Sequence, residues 1–329
     1  MLSIKCILSS CLLVVAAVAH SEESWKVDEK KILHLSQQEN LPVVAVFLSA
    51  EGCPWSHKFV AEVLQSPDFV GRVGIDAILW EILLGKEKED LSMRQKYGVQ
   101  QSPQILLLDP RGKEFARLGY SPLSAPAYAK QIMGLIDAFQ EVCVALDRRD
   151  APFEEQTWKD LYLKAKQFSV PCFKQVILEK GLKKEKGTFF HLEKYALMLE
   201  KLKAKHPAVL KMKAQLLKGQ DPETHYSVAV LDFQKKVATL KPKDNWEKAL
   251  TPLVHYIHQF NKKGSKNLWK AELMIAEFLY LKNALPAALE HAEASLKAAP
   301  ESAQPQVLQI ISHIKKTYEP IPLLDNHAF

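Results

Sequence analysis

The chain has 329 residues, 47% hydrophobic and 25% charged, a mixture typical of globular protein and enough for two cores. Its formal charge of +6 is uneven, because residues 1–150 hold 16 Lys+Arg against 19 Asp+Glu, hence −3, leaving +9 for residues 151–329. The basic half spreads its lysines over many segments without aromatic or glycine-rich punctuation, which argues against nucleic acid, and the twelve glycines form no phosphate-binding loop.

Lys5 precedes the thirteen-residue apolar stretch Ile7 to Ala19, which closes on Ala17-Val18-Ala19, the small-x-small pattern of a cleavage site. Residues 1–19 are therefore expected to be a signal peptide. The stretch falls short of the roughly 20 apolar residues a membrane span needs, and no later segment supplies an integral span. Cys11 makes a poor lipidation site, since most of the apolar run follows it. Removing the leader takes Cys6 and Cys11 with it and leaves Cys53, Cys143 and Cys172. In an exported, oxidising compartment such as the periplasm, three cysteines leave at least one thiol free or paired between molecules.

Trp25 to Gln38 has a helix-like pattern, and "VVAVFLSA", Val43 to Ala50, reads as a buried strand. Cys53 follows directly. Pro54 suits the first position of a helix that continues through Phe59, Val60, Val63 and Leu64, so Cys53 is expected at a helix N-terminus. Ile75 to Leu84 reads as a second strand, residues 90–98 as a short helix and Ile105 to Leu108 as a third strand. Asp109-Pro110-Arg111-Gly112 reads as a turn into a fourth, "KEFARLGY", and a long helix follows with Ile132, Ile136, Phe139, Cys143 and Leu146 on one face. This order predicts an α/β domain over residues 20–148, with both crossovers parallel and a terminal hairpin.

Beyond residue 148 strand signals stop. Helical periodicity runs over 154–168, 188–204, 222–239, 245–260, 267–282, 285–298 and 302–317, giving an all-α domain over 149–329. Ala276, Ala288 and Pro300, at twelve-residue steps, resemble the small residues and closing proline of a tetratricopeptide repeat. Trp269 falls three residues early for it, and both a helical-repeat bundle and a plain one stand.

A cysteine at a helix N-terminus meets free backbone N–H groups and the positive end of the dipole, which favour the nucleophilic thiolate. Ser56, at i+3, shares its face and has a hydroxyl to offer the sulfur. A strand, Cys-Pro-Trp-Ser, a helix and then "KYGVQQSPQILLLDPRGKEFARLGY" together resemble the thioredoxin superfamily over about residues 25–147. The motif is similar to that of exported thioredoxin-like proteins with a Cys-Pro-x-Cys site, and to anterior-gradient members of the protein disulfide isomerase family, whose motif is Cys-x-x-Ser. The resemblance implies that Pro103 is cis and that Ser102, Pro103 and Gln104 offer backbone groups to an extended peptide. Phe47 stands where the family places an aspartate, Gly52 where it places a tryptophan, and Ser102 and Gln104 replace the commoner isoleucine and threonine.

With serine at 56, a Cys53–Ser56 cycle cannot oxidise or reduce, whereas disulfide shuffling needs only one cysteine. The expected function is a monothiol disulfide isomerase or thiol-retaining chaperone acting on cysteine-containing clients, with Cys53 as nucleophile, Ser56 stabilising the thiolate and Trp55 as a client contact or local packing. His57 is a modulator when protonated or a plain surface residue. Cys172 is a partly buried free thiol, a partner for Cys143 or a remote resolving thiol, and Cys143 a buried inert one. No metal-ligand spacing or cofactor is expected. The alternative is a redox-inactive thioredoxin fold that works with the helical domain as a scaffold for a protein partner.

Overall fold

Six consecutive apolar residues, Val43 to Leu48, leave a strand no polar face, so it must lie between two covering layers. The computed structural model describes residues 28–50, 52–85, 88–148, 153–261 and 264–318. The leader expected at 1–19 falls outside them. In the structure β1 (Val43–Ser49) is an inner strand of a sheet ordered β2-β1-β3-β4, and Val43 to Leu48 are each 0% exposed. β2 (Ile78–Leu84) runs parallel to β1, pairing Val43 with Ile78. On the other side β3 (Gln104–Leu108) runs antiparallel, Phe47 opposite Gln104, and β4 (Glu114–Gly119) completes a hairpin with β3.

Only the first crossover is therefore parallel, which corrects the expectation of two. α4 (Lys88–Tyr97), with ten residues, rises about 15 Å, short of the roughly 23 Å spanned by the seven residues of β2. The chain enters β3 near the end of the sheet where β2 finished.

One sheet face, formed by Val43, Ala45 and Phe47, is covered by Ile32 of α1 (Glu29–Glu39) and by Met93 and Tyr97 of α4. On the hairpin, α5 (Ala125–Asp147) packs by stacking Phe139 on Phe115 at 4.0 Å between ring centres. α2 (Pro54–Phe59) runs on into a π-helical turn, Val60–Leu64, and α3 (Pro67–Asp76) packs against α5. The expected strand at 75–84 starts only at Ile78, because Ile75 and Asp76 finish α3, a helix that periodicity did not show.

The described residues divide into two compact units. The first reaches Pro152 and also takes in Asp160–Ile177; the second comprises Phe153–Lys159 and the chain from Leu178 onward. α6 (Glu155–Ala165) and α7 (Pro171–Lys184) thus each contribute to both. The connection between them joins the first unit, where Phe168 lies edge-on to Phe115 and Phe139, and the Ser169 N–H donates to the Phe115 carbonyl at 2.8 Å. That bond covers part of the otherwise open edge of β4.

The second unit continues with α8 (Phe189–Lys201), α9 (Pro207–Leu216), α10 (Pro222–Ala238), α11 (Glu247–Phe260), α12 (Leu268–Leu281), α13 (Leu285–Ala298) and α14 (Gln304–Tyr318). α12 and α13 form a hairpin in which Ala276, Ala288 and Ala292 are 0% exposed, small side chains that let the helix axes approach. Pro252 removes one backbone donor inside α11, and the Lys248 carbonyl four residues earlier accepts instead from Lys236 Nζ and Thr251 Oγ1, both at 2.9 Å. Periodicity does not mark α7 and α9. In α7 the apparent breaker Gly181 is a packing residue, since a Cβ there would sit 2.4 Å from the buried Phe190 ring.

Candidate functional site around Cys53

The chain leaves β1 through Gly52, whose φ of +59° lies in the left-handed region that favours glycine, and turns directly into α2. Cys53 is the cap residue, extended at φ −93° and ψ 103°, and Pro54 occupies the first helical position, where its missing N–H costs nothing. The sulfur is partly exposed.

Three sets of groups surround it. The first is Ser56, 2% exposed, whose oxygen accepts from the Ser49 N–H at 3.1 Å and whose hydroxyl hydrogen-bonds the sulfur. The second is the backbone at the start of α2, where the Ser56 N–H donates to the Cys53 carbonyl at 3.1 Å and the Ser56 and Trp55 N–H groups favour the charged sulfur. The third is the Ser102 carbonyl, 3.6 Å from Sγ, which accepts from the neutral thiol. The first two of these hold the Cys53 thiol below its ordinary pKa: the Ser56 hydroxyl is the largest cause, partial burial opposes it, and the two backbone N–H groups add to it. A thiolate here loses the Ser102 contact and keeps the Ser56 hydroxyl, while the two backbone N–H groups favour its charge.

The loop that brings Ser102 to the sulfur contains a cis peptide bond between Ser102 and Pro103. The Ser102 hydroxyl is buried and is without a hydrogen-bond partner among the described residues. Gln104, the first residue of β3, is 8% exposed, and its side-chain oxygen accepts from Arg117 at 3.2 Å. Nothing local in the sequence marks Arg117. From β4 its guanidinium pairs with Glu114 at 2.6 Å and donates to the carbonyls of Tyr97 at 2.6 Å and Gly98 at 2.8 Å. One side chain thereby ties the end of α4 to the start of β3, the two anchors of the proline loop.

Trp55 is 54% exposed and lies against Tyr120 with ring centres 5.2 Å apart. His57 is exposed on the first turn of α2. Cys172, expected to be partly buried, is instead exposed on the first turn of α7, and Cys143, expected to be buried, is only partly so on α5; neither they nor Cys53 form a disulfide. Burial first, with the carboxylates of Asp147 and Asp109 adding to it, pushes the Cys143 thiol up to about 11. Among the described residues no group of three His, Cys, Asp or Glu is arranged to hold a metal, and no helix is long and apolar enough to cross a membrane.

The sheet order, the cysteine at the head of α2 and the proline loop facing it agree with a match of residues 30–131 to the family described as thioredoxin-like domain. This stretch is a thioredoxin-like domain. The chain is 26% identical over 310 residues to "Thioredoxin-related protein DsbJ" of Chlamydia pneumoniae, covering 88% of this chain and 87% of that protein, so the similarity continues through the helical region. It is also 26% identical over 123 residues to "Disulfide bond reductase DsbH" of the same organism, covering 35% of this chain and 74% of the relative. Among solved structures, "DsbH Oxidoreductase" aligns with 32% of this chain and 79% of its own at 23% identity and a TM-score of 0.31. A thioredoxin from Thermus thermophilus aligns with 35% and 84% at 21% identity and a TM-score of 0.28. The thioredoxin-like domain is followed by a mostly helical region of many helices.

Proposed function

We propose that this chain is an exported thiol–disulfide exchange protein in which Cys53 acts without a second cysteine in its motif, as a monothiol disulfide isomerase or thiol-retaining chaperone. The observation that carries this reading is the buried Ser56 hydroxyl bonded to the Cys53 sulfur, which favours the thiolate while offering no sulfur to close a second bond. The thiolate attacks a client disulfide, an S–S bond to Cys53 forms, and the client's other sulfur leaves as thiolate. A client thiolate then displaces Cys53, so the client's disulfide is rearranged with no net oxidation or reduction. One relative is named a disulfide bond reductase. Net reduction needs a resolving thiol, and residue 56 does not supply one.

Alkylation of Cys53 by iodoacetamide at mildly acidic pH, together with recovery of a scrambled disulfide protein, tests the proposal. Cys53→Ala is expected to abolish both, and equal behaviour of the two proteins would remove the exchange reading. The Ser102 carbonyl, which accepts from the neutral thiol, favours a second reading in which the domain is a redox-inactive scaffold working with the helical region. In that case Cys53→Ala leaves function in the native compartment unchanged.

A further inference from the structure

An exposed tryptophan next to a nucleophile is ordinarily free to swing, and its side chain would then contribute little to selecting a partner. Here it is backed by a continuous series of rings. Tyr128 of α5 is 1% exposed and lies edge-on to Phe59 of α2, also 1% exposed, at 5.0 Å. Phe59 meets Tyr120 edge-on at 6.2 Å, and Tyr120 meets Trp55 at 5.2 Å. The loop that carries Tyr120 is fixed as well, because the Tyr128 hydroxyl donates to the Ser121 carbonyl at 2.6 Å and accepts from the Ser121 N–H at 2.7 Å. The indole therefore rests on a support anchored in the core, two residues from the reactive sulfur. Rigid aromatic surface presented in place loses little entropy on contact, the property that makes buried aromatics dominate binding at interfaces.

We infer that Tyr120 is a specificity-determining residue, which with Trp55 forms a preformed aromatic face beside Cys53 that selects client segments bearing a large aromatic or aliphatic side chain within two residues of their cysteine. The inference rests on the exchange reading for its client, an extended peptide joined through sulfur to Cys53. That bond fixes where the neighbouring client residues lie, since each residue of an extended chain advances about 3.3 Å, so two residues reach the scale of one ring-to-ring step. In the covalent step the Cys53 thiolate displaces one sulfur of the peptide's disulfide, which leaves as thiolate, and electrons balance without an external reductant.

The test uses the full chain and two peptide disulfides that differ only in tryptophan or serine next to the cysteine, each carrying the same chromogenic aryl thiolate leaving group. Wild type is expected to react about tenfold faster with the tryptophan peptide. Tyr120→Ala and Trp55→Ala are each expected to bring the ratio to within about twofold, whereas Tyr120→Phe, which keeps the ring, retains the preference. A second arm measures noncovalent binding to Cys53→Ser of the same peptides with cysteine replaced by serine, read by isothermal titration calorimetry. Exchange that proceeds at equal rates with both peptides, or a preference that survives Tyr120→Ala, overturns the aromatic face and leaves the exchange reading standing. Selective binding that depends on Tyr120, in a wild-type chain that performs no exchange with either peptide, supports the aromatic face and removes the exchange reading. Absence of selectivity in both arms overturns the inference.

Discussion

Ser56→Ala removes the hydroxyl that hydrogen-bonds the Cys53 sulfur and leaves the backbone N–H groups of Ser56 and Trp55 in place. A hydrogen bond to a charged group contributes about 1.5–3 kcal/mol, so the thiolate loses stabilisation on that scale and the Cys53 pKa is expected to rise. The same substitution deletes the acceptor of the Ser49 N–H and is expected to cost about 1 kcal/mol of folding stability. The sulfur reacts as thiolate, so the rate of iodoacetamide alkylation climbs as pH rises through the pKa. In wild type the climb comes at lower pH than for an ordinary thiol, and in Ser56→Ala it moves back toward higher pH. The measurement is alkylation rate against pH on intact protein, with mass spectrometry reporting the Cys53 peptide. Superimposable profiles for the two proteins would refute the assignment of Ser56 as the group that acidifies the sulfur. Linkage gives the accompanying sign: the folded state ionises Cys53 more readily than the unfolded one, so stability from this group rises with pH between the two pKa values and is lost as pH falls through the folded one.

Further outcomes follow from the same geometry. Ser56→Cys is expected to gain dithiol reductase turnover, measured as reduction of insulin disulfides, and a variant without turnover would contradict the face shared by residues 53 and 56. At pH 8, with a pKa of about 11, Cys143 holds roughly one thiolate per thousand molecules. Its labelling in a mass-resolved time course should therefore trail that of Cys53 by orders of magnitude, and equal rates would contradict its burial. Arg117→Met deprives Glu114, Gln104 and two loop carbonyls of their shared partner. It is expected to lower stability by about 3 kcal/mol and to slow Cys53 alkylation, both read on one purified sample. Gly181→Ala places a methyl group against the Phe190 ring and is expected to destabilise the helical region by about 1–3 kcal/mol in chemical denaturation, while Cys53 alkylation keeps its wild-type pH profile.

The parts of the site that could be read from sequence are those set by local physics. An unbroken apolar run followed by Gly-Cys-Pro specifies a buried strand, a turn and a capped helix within twelve residues, and Cys53 and Ser56 meet through helical spacing alone. The rest depends on contacts distant along the chain. Arg117 occupies an alternating position in a strand and looks like an ordinary solvent-facing cation until the hairpin folds it against Gln104, Tyr97 and Gly98. Gln104 reads as a loop residue beside a proline, yet it begins β3 and is buried under that guanidinium. Tyr120 sits just past a strand end, where nothing local indicates that Phe59 and Tyr128 will support it. α3 was hidden by Gly71 and Gly74, both exposed positions that carry no packing penalty in a helix held from its other side by Phe69 and Val73. The direction of β3 depended on a length comparison between α4 and β2 that residue types do not encode.

An oxygen at position 56 also settles the electron count of the motif. A pair of sulfurs cycles between two states separated by two electrons, and after every turnover some other molecule has to restore the starting one. A lone sulfur that is handed from one client thiol to the next finishes in the state in which it began. Used in this way, the motif draws on no supply of reducing equivalents, and its turnover is set by how quickly a client's own thiol returns to release it.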